Sequence, residues 1–347
     1  MKYSVVVPVY NRPDEVDELL ESLCSQTLKD FEVVIVEDGS QKPCKDVCDK
    51  YASILDLHYY YKDNSGPGQS RNYGVEHANG DYVIILDSDV VLPEGYMMAI
   101  NSQLSTLNFQ PVCWGGPDAA HPSFTPVQKA ISYSMTSFFT TGGIRGGKKK
   151  LDKFYPRSFN MGIRRDVYLQ LGGFSKMRFG EDIDFSYRIV EAGHQPQLFP
   201  DAWVWHKRRT DFRKFFRQVY NSGIARINLE KRHPGTMKLV HLLPMVFTVG
   251  VIGLILISAV GRALMYYVDR DQFYWMCFAP WLPILLYSLI IFIDSTIQNK
   301  SLKVGLLSVP AAFVQLMGYG FGFIEAWWKR CVQRKDEFQA FEKTFYQ

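Results

Sequence analysis

The sequence predicts an α/β chain in which a mostly parallel sheet with helices on both faces is followed by an α-helical membrane region. Three observations carry that expectation. Short, nearly continuous apolar runs alternate with helix-period stretches over the first two hundred residues. Two of the apolar runs end in carboxylates, where parallel sheets present their ligands. Long apolar runs, two of them uncharged and long enough to cross a bilayer, then fill residues 237–328.

The elements follow in order. "YSVVVPVY" reads as a first strand, and residues 14–27 place Val16, Leu19, Leu20 and Leu23 at helical spacing. "FEVVIVEDGS" is a second strand ended by a turn, 44–55 a helix, and "LHYYYKD" a third strand. "GQSRNYGVEHANG" fits a helix closed by glycine, and "DYVIILDSD" is a fourth strand. Residues 136–157 are rich in Gly and Lys without a period, which predicts a mobile loop. "GGIRGGKKK" lacks P-loop spacing. "TDFRKFFRQVYNSG" puts Phe212, Phe215, Phe216 and Val219 on one helical face, and Arg213, Lys214 and Arg217 on another. That pattern suits a helix in a membrane interface or one packed on a domain.

Two spans are expected at 239–260 and 273–293, neither containing Asp, Glu, Lys or Arg. The segment 304–328 is nearly as apolar but carries Pro310, three glycines from 318 to 322, and Glu325. A third crossing would put the basic tail, 329–347, outside, against the positive-inside rule. A re-entrant or interfacial third segment therefore competes with three full spans. The expected division is 1–210, 211–236, 237–328 and 329–347.

Composition bounds the function. Of 347 residues, 47% are hydrophobic and 21% charged, which excludes a disordered chain. A net charge of +4 carries no signal for nucleic acid. The six cysteines, at 24, 44, 48, 113, 277 and 331, form no zinc set and read as free thiols in a reducing compartment. The N-terminal apolar run is too short for a signal-peptide core, so the N-terminal domain is expected in the cytoplasm.

Asp87 and Asp89 sit at i and i+2, so their side chains leave the end of the fourth strand on the same side and can share one Mg²⁺ or Mn²⁺. The further signals are ordered along the chain: "VVVPVYNRP", "VEDGS", "GPGQSRNYG", "LDSD", "FNMGIRRDVYLQLGGF" and "FGEDIDFSYRI". This set, over roughly residues 1–210, resembles the family 2 glycosyltransferases, which have the GT-A fold. The C-terminal part looks, more loosely, like membrane-bound members that make exopolysaccharide or lipid-linked glycans. The resemblance implies that Pro8, Tyr10 and Asn11 line a nucleotide pocket. Asp38 would bind the base, supported by Arg71, and Glu37 stands where many members have Asp. Asp87 would serve ribose or metal, Asp89 the metal. Asn160, Gly172, Gly173 and Phe174 match the sugar and acceptor segment. Of the acidic pair Glu181-Asp182, Asp182 would be the general base.

His206, beside Trp203 and Trp205, is either structural or the residue that completes the metal shell, as in some relatives. Trp114 in "CWGGP" suits sugar stacking or the core. The implied enzyme is an inverting glycosyltransferase at the cytoplasmic face of the cell (inner) membrane. Its donor would be a UDP- or GDP-sugar, its acceptor lipid-linked or a polysaccharide, with membrane lipids as neighbours and no nucleic acid. A polyprenyl-phosphate glycosyltransferase and a non-catalytic membrane scaffold are the alternatives.

Overall fold

The computed structural model describes residues 2–107, 110–143, 154–177, 179–207, 209–267 and 273–341. It contains two compact units, residues 1–122 with 152–207, and residues 123–151 with 208–347.

The first unit begins β1 (Tyr3–Val9), α1 (Pro13–Cys24), β2 (Phe31–Asp38), α2 (Lys45–Tyr51), β3 (Asp56–Lys62), α3 (Pro67–His77), β4 (Tyr82–Leu86) and β5 (Val90–Val91). It continues with α4 (Tyr96–Thr106), β6 (Cys113–Gly115) and β7 (Asp118–Ala119). Two helices, α5 (Pro126–Thr136) and α6 (Phe138–Thr141), belong to the second unit. The first unit resumes with β8 (Asn160–Arg164), α7 (Arg165–Gln170), α8 (Glu181–Glu191), β9 (Gln197–Leu198) and β10 (Val204–His206).

The main sheet has the order β3-β2-β1-β4-β8-β6-β9, and a small second sheet has the order β5-β10-β7. From β3 to β4 every pairing is parallel, with Tyr3 opposite Phe31 and Tyr82. Burial on both faces explains why these strands read as unbroken apolar runs. Val5, Val7, Val33, Ile35 and Ile84 pack on one face. Val6, Val34, Val36, Val83 and Ile85 pack on the other, as the two-residue period requires. The sheet turns antiparallel at β8, which pairs with both β4 and β6.

The second unit adds α9 (Phe212–Arg232), α10 (Leu243–Tyr267), α11 (Tyr274–Phe278), α12 (Leu282–Asn299) and α13 (Leu302–Trp327). Three helical segments, Leu239–Tyr267, Tyr274–Asn299 and Leu302–Val332, are long and apolar enough to cross a membrane. They differ in how much protein covers them: 17% and 11% of the most apolar stretch is buried in the first two, against 44% in the third.

The cover on the third comes from α5, α9, α10 and α12. Ala130 of α5 packs with Val304 and Ala311, and Tyr133 with Ile291 and Ala312. Tyr133 Oη also donates to Asp294 Oδ2 at 2.6 Å, which pairs the one acid of α12. These contacts are why 123–151, placed by sequence in a 1–210 domain, falls in the second unit. Helix α9 runs alongside α13 in the same direction, from Val219 at Gly318 to Ile227 at Phe323 and Ala326. Glycines make this close approach possible. A Cβ at Gly223 would lie 2.1 Å from Tyr319 O, and one at Gly322 would lie 2.0 Å from Tyr220 O.

The described part of the tail folds back on α9. Asn221 exchanges two hydrogen bonds with the backbone of Ala340, at 2.9 and 3.1 Å. Arg232 pairs with Glu337 at 2.8 Å, and Phe338 joins the cluster of Ile224 and Ile227. The "GGIRGGKKK" run lies outside the described residues from 144 onward.

Candidate active site

The first pole of the site is built by the small sheet. The fully buried β4 delivers Asp87 to the sheet's carboxyl edge, and Asp89 follows one turn residue later. Strand β5 then pairs antiparallel with β10, with Val90 opposite His206. That pairing brings in an imidazole from more than a hundred residues away. His206 Nε2 lies 3.2 Å from Asp89 Oδ1 and 3.9 Å from Asp87 Oδ2. One ligand atom from each residue falls within 4.8 Å of the others.

The Phe159 ring stacks on the imidazole at 5.0 Å, and Asp118 Oδ2 lies 4.0 Å from Nδ1, near it but beyond hydrogen-bond reach. Two carboxylates and an imidazole suit Mn²⁺ or Mg²⁺, so the residues present fit the expected ion. Arg12 Nη1 holds the other Asp89 oxygen, Oδ2, at 2.5 Å.

The second pole opens α8. Gly180, at φ 85°, turns the chain into the helix, and Glu181 and Asp182 occupy its first turn, both buried. Their charges are not left alone. Arg71 Nη1 donates to Glu181 Oε1 at 3.1 Å, and Nη2 to Asp87 Oδ1 at 2.6 Å. This buried guanidinium therefore ties the two poles together. Arg157 Nε donates to Asp182 Oδ2 at 2.5 Å, and the Ile183 amide to Oδ1 at 2.8 Å.

The two acids are driven apart in acidity. Burial and the neighbouring Asp182 charge push Glu181 up to about 7, against the pull of Arg71. Burial also pushes Asp182 up, but the Arg157 guanidinium outweighs it and holds the carboxyl below the usual range. Asp184 pairs instead with Arg188 of its own helix at 3.0 Å, an ordinary helical ion pair.

The nucleotide-side residues lie at the ends of β1 and β2. Pro8 is buried, while Tyr10 and Asn11 are half-buried. Asn11, at φ 54°, uses its side chain to staple two loops. Its Oδ1 accepts from the Gln41 and Lys42 amides at 2.7 and 3.0 Å. The Asp38 carboxylate is buried and accepts from the Ser65 and Gly66 amides, each at 2.9 Å, and from Lys62 Nζ at 2.7 Å. Glu37 is fully buried and accepts from Ser40 Oγ and the Cys44 amide.

Several sequence expectations are placed elsewhere. Arg71 faces Asp87 and Glu181 rather than Asp38, because α3 aims it along the buried edge between the poles. Glu37 braces the turn after β2, where its partners already occupy both oxygens. Trp114 is fully buried, its indole stacked on Phe199 at 5.2 Å, so it packs the core. Asn160 is a buried pin between Tyr96 Oη and Ala202 O. Phe174 is core, its backbone held by Asn72. Gly173, at φ 60°, leaves room for Asn72, whose Oδ1 would meet a Cβ at 2.3 Å. Gly172, at φ 74°, serves the same turn. Arg12, Asp118, Arg157 and Phe159 were missed, since their partners lie 25 to 88 positions away in sequence and no motif marks them.

This architecture is that of a GT-A sugar-transferase domain. The family model described as "Glycosyl transferase family 2" matches residues 4–172, so the chain carries a family 2 glycosyltransferase domain. A glycosyltransferase of Rickettsia felis is 40% identical over 88 residues, 25% of this chain and 15% of that protein. One from Haemophilus influenzae is 29% identical over 213 residues, 57% of this chain and 64% of that protein. A pre-mycofactocin glycosyltransferase of Mycobacterium tuberculosis is 27% identical over 252 residues, 67% of this chain and 48% of that protein. The chain thus matches less than two thirds of the length of each of these relatives. Among solved structures, a mannosyltransferase from Pyrobaculum calidifontis in complex with GDP-Man and Mn²⁺ superposes with a TM-score of 0.59. It is 15% identical, covering 90% of this chain and 86% of that one, a likeness of fold.

Proposed function

We propose that the chain is an inverting, metal-assisted glycosyltransferase. It would move a sugar from a nucleoside-diphosphate sugar to a lipid-linked or polysaccharide acceptor at the cytoplasmic face of the cell membrane. The observation that carries this reading is the pair of poles joined by Arg71: Asp87, Asp89 and His206 on one side, Glu181 and Asp182 on the other. A Mn²⁺ or Mg²⁺ held by Asp87, Asp89 and His206 would supply positive charge to the leaving diphosphate. Asp182 is the general base: it takes the proton of the acceptor hydroxyl as that oxygen bonds to the anomeric carbon and the bond to the diphosphate breaks. One carboxylate acting opposite the leaving group gives inversion. Arg71 holds Asp87 and Glu181 in register across the site.

The second unit supports a two-span topology for this reading. Helix α9 carries Arg213, Lys214, Arg217, Arg226, Glu230, Lys231 and Arg232, too many charges for the hydrocarbon core. The tail is bonded to α9 and lies on its side of the membrane. An even number of crossings separates them, which α10 and the α11–α12 segment supply. Helix α13 then stays with α9, and three full spans are disfavoured. Among the described residues no helix long and apolar enough to cross lies between β10 and α9, which supports placing the catalytic domain on the same side.

The function is tested by Asp89→Ala, which should abolish Mn²⁺-dependent stabilisation by a panel of UDP- and GDP-sugars in a thermal-shift assay. A variant that keeps the wild-type response would refute the metal site.

A further inference from the structure

The base proposed above is occupied. Asp182 is buried, with Arg157 Nε at 2.5 Å on one oxygen and its own helix amide on the other. The charge of a carboxylate so paired is already engaged, and protonating it would strand a guanidinium without its counter-charge. Arg157 itself is less enclosed than its partner, 37% of its side chain being exposed against 10% for Asp182. It also lies in the field of Asp118, the carboxylate behind His206. Phe159, two residues on, stacks on His206, so the segment that carries Arg157 borders both the base and the metal pole.

We propose that Arg157 is a positioning residue that pairs with Asp182 in the donor-free enzyme and exchanges onto the donor's diphosphate, releasing Asp182 to act as base. This rests on the assignment of Asp182 as the base. The exchange makes and breaks no covalent bond. One guanidinium contact with a carboxylate is replaced by one with a phosphoryl oxygen, a geometry that arginine serves equally well. The released carboxylate is left with the Ile183 amide, the neighbouring Glu181 and the more distant Arg71 charge. With its nearest cation gone and its burial unchanged, it binds a proton more readily. Donor occupancy thus raises the basicity of the group that must accept the proton. Before the donor arrives, the base is held neutralised.

The test is calorimetric binding of GDP and of UDP with Mn²⁺ to the full-length protein in detergent, at pH 5 in buffers of different ionisation heats. Wild type is expected to take up a fraction of a proton more on binding than Arg157→Gln, in which only the diphosphate and the metal ligands exchange protons. Arg157→Gln should also bind the diphosphate about tenfold to a hundredfold more weakly, the usual loss for one charge-assisted contact. Asp182→Asn moves the other way: freed of its carboxylate partner, Arg157 should bind the diphosphate as tightly as in wild type or more so. Arg157→Lys should recover part of the affinity. Equal affinity and equal proton uptake in wild type and Arg157→Gln would overturn the proposal. So would an Asp182→Asn variant that binds as weakly as Arg157→Gln, since that is the mark of a structural ion pair. If the binding results hold but Asp182→Asn still turns over, the base assignment fails while the diphosphate contact stands.

Discussion

The proposed topology rests on the seam between α9 and α13, and Gly223→Ala tests that seam. The added Cβ would meet Tyr319 O at 2.1 Å, Phe323 N at 2.8 Å and Tyr319 C at 3.0 Å. All three are backbone atoms and cannot rotate away. Restoring contacts of about 3.5 Å requires the helices to part by roughly 1 Å. Overpacking of this kind costs about 1–3 kcal/mol. The upper end applies here, because Gly322 under Tyr220 O, at 2.0 Å, leaves no slack on the neighbouring turn. For a unit of this size, that corresponds to a midpoint lowered by about 5–10 °C. The assay is thermal unfolding of the full-length protein in detergent, followed by tryptophan fluorescence. Gly250→Ala is the control, since nothing lies within 4 Å of a Cβ there. Equal midpoints for the two variants would show that α9 does not lie against α13, and the topology built on that seam would fall.

Further outcomes follow from the same geometry. His206→Ala should weaken Mn²⁺ binding about tenfold to a hundredfold, as measured by titration in the presence of a nucleoside diphosphate, since one of three ligands is lost. At donor concentrations well below KM, transfer should keep its rate as pH falls from 8 to 6, because Arg157 holds Asp182 ionised in the donor-free enzyme. Were Glu181 the base, with its carboxyl near 7, the ionised fraction would fall from about 0.9 to about 0.1 over that interval, and the rate with it. Cys331 is exposed whereas Cys44, Cys48, Cys113 and Cys277 are buried. In a Cys24→Ser background, a membrane-impermeant maleimide should therefore label Cys331 in inside-out vesicles and spare it in intact cells. Labelling of intact cells would mean an odd number of crossings.

The parallel half of the sheet was legible because burial on both faces imposes a simple pattern. Runs such as "SVVVPV" and "YVIIL" have no polar face to present. Asp87 and Asp89 were legible for a related reason, as acids at the end of such a run need a partner. His206 was visible as a candidate only, because the β5–β10 pairing that brings it to Asp89 joins segments more than a hundred residues apart. Separation in sequence, 77 and 25 positions, likewise hid Arg12 and Arg157, exposed-looking cations whose partners are fixed by tertiary structure alone. It also led Trp114 to be weighed for a sugar, when its strand directs it at Phe199. In the second unit, the glycines from 318 to 322 acquire a reason only in the structure, where Gly318 and Gly322 lie against α9 and Gly320 against Thr248 of α10. The sequence of α9 reads equally well as an interface helix and as a packed one until Gly223 is seen against Tyr319.

The central claim is that Asp182 removes the acceptor proton in a site whose donor is held elsewhere. Its most direct test compares Asp182→Asn with wild type in two assays on one sample: sugar transfer, and Mn²⁺-dependent binding of the nucleotide sugar that stabilises the wild type most. The expected result is loss of transfer with donor binding no weaker than in wild type. Transfer at the wild-type rate would contradict the account.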